Sequence, residues 1–140
     1  MRILLAATAV LLMAGCGSLN KKEPPPKPFV GTKWVVLLEL PNPGEQPHFR
    51  FGDGRMEGFG GCNRIAARFV QDTVGARAIV IGRIDRGTRA CDRSLQASET
   101  SMLEILQSVS SYSITIDKMT MTGSAGSLKF VSDPPAEIPK

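Results

Sequence analysis

Histidine, the residue most often needed for proton transfer and metal binding, occurs once in this 140-residue chain, at His48. It has no nucleophile or carboxylate motif around it, so a Ser-His-Asp arrangement is not available. The cysteines, histidine and carboxylates show no metal-ligand spacing. No phosphate-cradling loop with its lysine appears, and Gly58-Phe59-Gly60-Gly61 opens no helix. A strong charge imbalance is also lacking: the formal net charge is +4, too small by itself to imply nucleic-acid binding. The apolar run Ile3–Met13 is too short for a stable membrane-spanning helix. These deficits weigh against an enzyme and point to no cofactor.

The chain does have an ordered beginning. Arg2, the apolar run and Leu12-Met13-Ala14-Gly15-Cys16 have the pattern of a signal peptide over residues 1–15. Its end resembles a bacterial lipobox, with Met13 where such signals most often have Leu. That resemblance implies that Cys16 becomes the lipidated first residue of the mature chain, carrying acyl chains such as palmitate. Each buried CH₂ contributes about 0.8 kcal/mol, so two or more chains anchor stably. In Gram-negative lipoproteins that this leader resembles, a non-Asp residue after that cysteine, here Gly17, implies transfer to the inner leaflet of the outer membrane, facing the periplasm. Residues 16–29 include Pro24-Pro25-Pro26 and Pro28 and read as a stiff tether.

Residues 30–131 read as one mainly β domain. Thr32–Leu40, apolar on both faces in its middle, opens it, with Trp34 as core. His48–Phe51 and Arg55–Phe59 flank Gly52-Asp53-Gly54, a strong hairpin signal, and place Phe49, Phe51, Met56 and Phe59 on the inner face. Further strands follow over Asn63–Val70 and Ala78–Ile84. Asp92 or Ser94 can cap a helix running to about Ser108. Its apolar stripe is Leu95, Ser98, Met102, Ile105, Leu106 and Val109, with Glu99 and Glu104 outside it or at its edge. A meander over 112–131, turning at Asp117-Lys118, comes next, and 132–140 is a loose tail. The expected fold is a small antiparallel, partly open barrel or bent sheet of about seven or eight strands, with one helix across an opening.

Gly58, Gly60 and Gly61 permit a bulge or tight bend before Cys62-Asn63. Cys62 and Cys91 remain as an even pair once Cys16 is assigned to the leader. In an exported chain such a pair favours a disulfide, worth roughly 3–4 kcal/mol, with two free buried thiols as the alternative. Arg64, Arg68, Arg83, Arg86, Arg89 and Arg93 interleave with apolar residues. They suit either a solvated face or a patch that meets lipid phosphates or a carboxylate-rich peptide.

Gly61-Cys62-Asn63 after a strand, then Thr88-Arg89-Ala90-Cys91, Glu99 in a helix and a closing hairpin, resembles the META/HslJ domain of bacterial envelope lipoproteins. The resemblance implies a monomeric, non-catalytic, lipid-anchored protein with links to envelope maintenance and to stress or antibiotic tolerance. Similarity in architecture to cracked-barrel pilotins implies an alternative: a module that holds a secretin tail or an acyl chain in a hydrophobic groove.

Overall fold

The computed structural model describes residues 22–72 and 77–135. The leader, Cys16 and the tether through Lys21 lie outside the described residues, as do the turn residues 73–76 and the tail 136–140. Nine strands and one helix follow in chain order. They are β1 (Lys33–Val36), β2 (His48–Gly52), β3 (Arg55–Phe59), β4 (Arg64–Gln71), β5 (Ile79–Ile81), β6 (Asp85–Arg86), α1 (Arg93–Ser108), β7 (Val109–Thr115), β8 (Lys118–Gly123) and β9 (Gly126–Asp133). The order across the sheet is β5-β4-β3-β2-β1-β9-β8-β7, antiparallel throughout, with the short β6 paired to β4. β5 and β7 approach through a single bridge, Ala78 to Ser111, and through the Tyr112 N–H, which donates to the Arg77 carbonyl at 3.1 Å. The sheet is therefore a nearly closed barrel carrying one helix, as expected.

Alternation along each strand fills the interior. Trp34 and Val36, Phe49 and Phe51, Ile65, Ala67 and Phe69, Met119 and Met121, and Leu128 and Phe130 point inward. Burial of each large apolar side chain contributes roughly 1.5–3 kcal/mol. Asp53 and Gly54 both have positive φ, 51° and 69°, which is the turn that matches the twist of the β2–β3 hairpin. From α1, Met102 and Leu106 are buried in the same core, so the helix closes one opening by filling it.

Several expectations need correction. β1 ends at Val36, and Leu37 and Leu40 are exposed, so the apolar run to Leu40 is not a strand buried on both faces. Phe59 is opposite His48 on the outer face, because the pleat that buries Met56 turns residue 59 outward. The β7–β8 hairpin turns at Ile116-Asp117, with Ile116 at φ 55°, one residue earlier than expected. β9 runs on to Asp133, which pairs in register with Lys33 and bonds its Nζ at 2.9 Å, so residues 132 and 133 belong to the barrel. Phe29, counted with the tether in the sequence reading, is buried. Its ring meets Phe51, Tyr112 and Phe69 at centroid distances of 4.4, 4.5 and 5.8 Å. Its carbonyl accepts from Trp34 Nε1 at 3.1 Å, and the Lys27 N–H donates to the Ile116 carbonyl at 2.6 Å. The end of the proline-rich stretch is thus laid against the barrel.

Candidate functional site

The end of β3 and the turn after it are built from glycines for steric reasons. A Cβ on Gly58 would stand 2.0 Å from the His48 carbonyl oxygen, and one on Gly60 would stand 2.6 Å from Glu99 Oε2. Gly61 has φ +106°, outside the range that side chains normally allow. This compression delivers Cys62 and Asn63 into the space beneath α1, where both are buried. Cys62 is joined to Cys91 in a disulfide, with Cα atoms 6.0 Å apart.

Glu99 organises the surroundings. It is 1% exposed. Its Oε2 accepts from the Cys62 N–H at 2.9 Å and the Asn63 N–H at 2.6 Å, and its Oε1 accepts from Asn63 Nδ2 at 2.8 Å. Arg86 Nε lies 4.0 Å from Oε1, while its Nη1 donates to Thr100 Oγ1 at 3.2 Å. Asn63 Oδ1 accepts from the Arg89 N–H at 2.7 Å. One carboxylate and one amide therefore tie together the β3–β4 turn, α1 and the 87–91 loop, and the disulfide closes the same triangle. Glu99, expected outside the apolar stripe or at its edge, is buried within that face. Leu95, Glu99, Met102 and Leu106 recur at the spacing of one helix face. The position was legible, but its charge argued against burial until the facing N–H donors were known.

The arginines are spread over several places on the domain. Arg86 is committed to α1. Arg68 stands opposite Arg55 on the outside of the β3–β4 ladder, and Arg83 and Arg93 are exposed. Arg64 and Arg89 do come together. With Glu45, His48, Phe59 and Thr88 they line a surface cleft of about 430 Å³ beside Cys62. His48 is half-buried there, correcting the expectation of simple surface exposure. Its Nδ1 lies 3.1 Å from the Gln46 carbonyl and 3.6 Å from Glu45 Oε1, and its ring is 6.2 Å from that of Phe59. Sequence reasoning passed over this cleft because His48 and Glu45 are brought to Arg64 and Arg89 only by the β2–β3–β4 register and the disulfide. Among the described residues, no group of three His, Cys, Asp or Glu side chains could hold a metal, and no helix is long and apolar enough to cross a membrane.

No curated protein matches this chain. Two structures solved by NMR share its fold. One, from Burkholderia xenovorans, has 16% identity and a TM-score of 0.62, covering 94% of this chain and 98% of its own. The other has 14% identity and a TM-score of 0.55, covering 71% of this chain and 87% of its own. The family model described as META domain matches residues 29–134, from the buried Phe29 to one residue past the end of β9. By that match over most of its length, the chain belongs to the META-domain family.

Proposed function

We propose that this protein is a non-catalytic envelope lipoprotein, anchored through lipidated Cys16 on the periplasmic side of an outer membrane. It acts in envelope maintenance or stress and antibiotic tolerance by presenting a stapled surface. The observation that supports the non-catalytic part is the state of Glu99. A carboxylate poised for proton transfer must come within hydrogen-bond reach of a substrate. Glu99 is instead 1% exposed, and both its oxygens accept from N–H groups of Cys62 and Asn63. The Cys62–Cys91 disulfide is in keeping with an oxidising compartment.

The pilotin-like alternative requires an open apolar groove for a secretin tail or acyl chain. The burial of Met102 and Leu106 of α1 in the barrel core favours the maintenance role over it. Mass spectrometry of the mature chain from its host tests the anchor: an acylated Cys16 at the amino terminus is expected, and Cys16→Ser should move the protein out of the membrane fraction. An unmodified Met1 terminus would overturn the anchored reading. Capture of one stoichiometric secretin-like partner by the lipidated protein would move the assignment to the alternative. A deletion strain with unaltered tolerance of heat and antibiotics would remove the stress role.

A further inference from the structure

The cleft beside the disulfide combines features that no structural role requires. Arg64 and Arg89 are exposed and, among the described residues, neither makes an ion pair or a side-chain hydrogen bond. Their backbones are nevertheless held. The Gly87 N–H donates to the Arg64 carbonyl at 3.1 Å, and the Arg89 N–H is bound by Asn63. The Cys62–Cys91 bond fixes the other end of the 87–91 loop. Two arginines are thus mounted on the same frame and line one cleft, together with Thr88, the residue before Arg89. Among the described residues, Glu45 is the only carboxylate lining that cleft, and His48 Nδ1 lies 3.6 Å from its Oε1. The electrostatic balance of the cleft is therefore cationic.

We propose that this cleft is a phosphate-binding site, in which the guanidinium groups of Arg64 and Arg89 and the hydroxyl of Thr88 hold a phosphate group. Planar guanidinium forks pair with phosphate through two parallel hydrogen bonds each. Two forks and a hydroxyl together offer more donors than the two oxygens of a carboxylate can accept, and match the several oxygens of a phosphate. The cleft volume, about 430 Å³, falls in the range of small-ligand sites and exceeds a bare phosphate. The ring of Phe59 gives the apolar remainder of a phosphate ester a surface to lie against. The phosphate can be free or part of a lipid headgroup. This site goes beyond the anchoring role and does not depend on it.

The test uses the full chain in phosphate-free maltoside micelles, followed by NMR. Titration with inorganic phosphate should shift the amides of Arg64, Thr88 and Arg89 together. Arg64→Gln and Arg89→Gln should each weaken binding about tenfold or more, the loss of one charge-assisted contact. Arg83→Gln, an exposed arginine outside the cleft, should change it by less than about twofold. Retained disulfide and an otherwise unchanged amide spectrum show that each variant is folded. In phosphatidylglycerol nanodiscs, the same shifts without added phosphate identify the headgroup as the source; shifts with inorganic phosphate alone identify the free ion. Absence of cleft shifts in both arms overturns the site, and so does an equal loss in Arg83→Gln, which would mean diffuse attraction.

Discussion

Glu99 holds Asn63 twice, accepting its side-chain Nδ2 at 2.8 Å and its backbone N–H at 2.6 Å across 36 residues of chain. The same carboxylate also takes the Cys62 N–H. Truncation therefore leaves three donors buried without acceptors, together with an unbalanced Arg86. Glu99→Ala should destabilise the domain by about 3–5 kcal/mol, and Glu99→Gln, which keeps one acceptor oxygen, by about 1–3 kcal/mol. Urea unfolding measures both. Asn63→Ala combined with Glu99→Ala should cost clearly less than the two single losses together, since they share one network. Strict additivity would show that the carboxylate is not the hub.

The disulfide constrains the unfolded chain across a sequence separation of 29 residues. Replacing Cys62 and Cys91 together by Ala should cost about 2–4 kcal/mol. The barrel should still fold, because Glu99 and Asn63 hold the same elements by hydrogen bonds. A denaturant midpoint that is identical with and without reductant would show that the bond contributes nothing to stability.

Glycine positions separate into constrained and unconstrained ones. Gly58→Ala would press a methyl group onto the His48 backbone, with its Cβ 2.0 Å from the carbonyl oxygen, and backbone cannot swing aside as a side-chain tip can. A loss of about 3 kcal/mol or more, or failure to fold, is expected. Gly44 has nothing within 4 Å of its built Cβ and no positive φ, so Gly44→Ala should stay within about 0.5 kcal/mol of the parent. Thermal melts of the two variants side by side decide the matter.

Asp92 caps α1, and its carboxyl is held below the usual carboxylate range by the Ser94 hydroxyl first and the Leu95 N–H second. A carboxyl with a depressed folded-state pKa contributes stability above its unfolded pKa and loses it as pH falls through the folded value. Asp92→Ala should therefore lower Tm at neutral pH, and the gap to the parent should narrow as pH falls through and below the ordinary value of 3.8. A gap that is constant from pH 7 to pH 2 would assign the effect to helix propensity instead of the charged cap.

Much of the barrel was legible because it rests on local signals. Period-two alternation located β2, β3, β4, β8 and β9, and Asp53-Gly54 located their first hairpin turn. Errors arose where local apolarity outweighed pairing. Leu37 and Leu40 continue an apolar run, but β1 stops at Val36, just past its last pair with β2, Val35 to His48. Phe59 was misassigned because its outward place follows from the ladder with His48. Proline composition at residues 24–28 concealed that the next residue, Phe29, has a pocket of aromatic rings to enter.

The amino-acid order alone determined the β character of the chain, the helix over 93–108, the inward set Phe49, Phe51, Met56, Ile65 and Phe69, and the expectation that Cys62 and Cys91 pair. Each depends on neighbours a few residues apart or on simple parity of cysteines. Tertiary structure decided that Glu99 is a buried clamp, that Phe29 belongs to the core, and that only Arg64 and Arg89 of the arginines share a cleft with His48. Those outcomes depend on which groups from distant segments face one another. A charged side chain is stable inside only when its hydrogen-bond partners arrive with it, and their arrival is a property of the closed barrel.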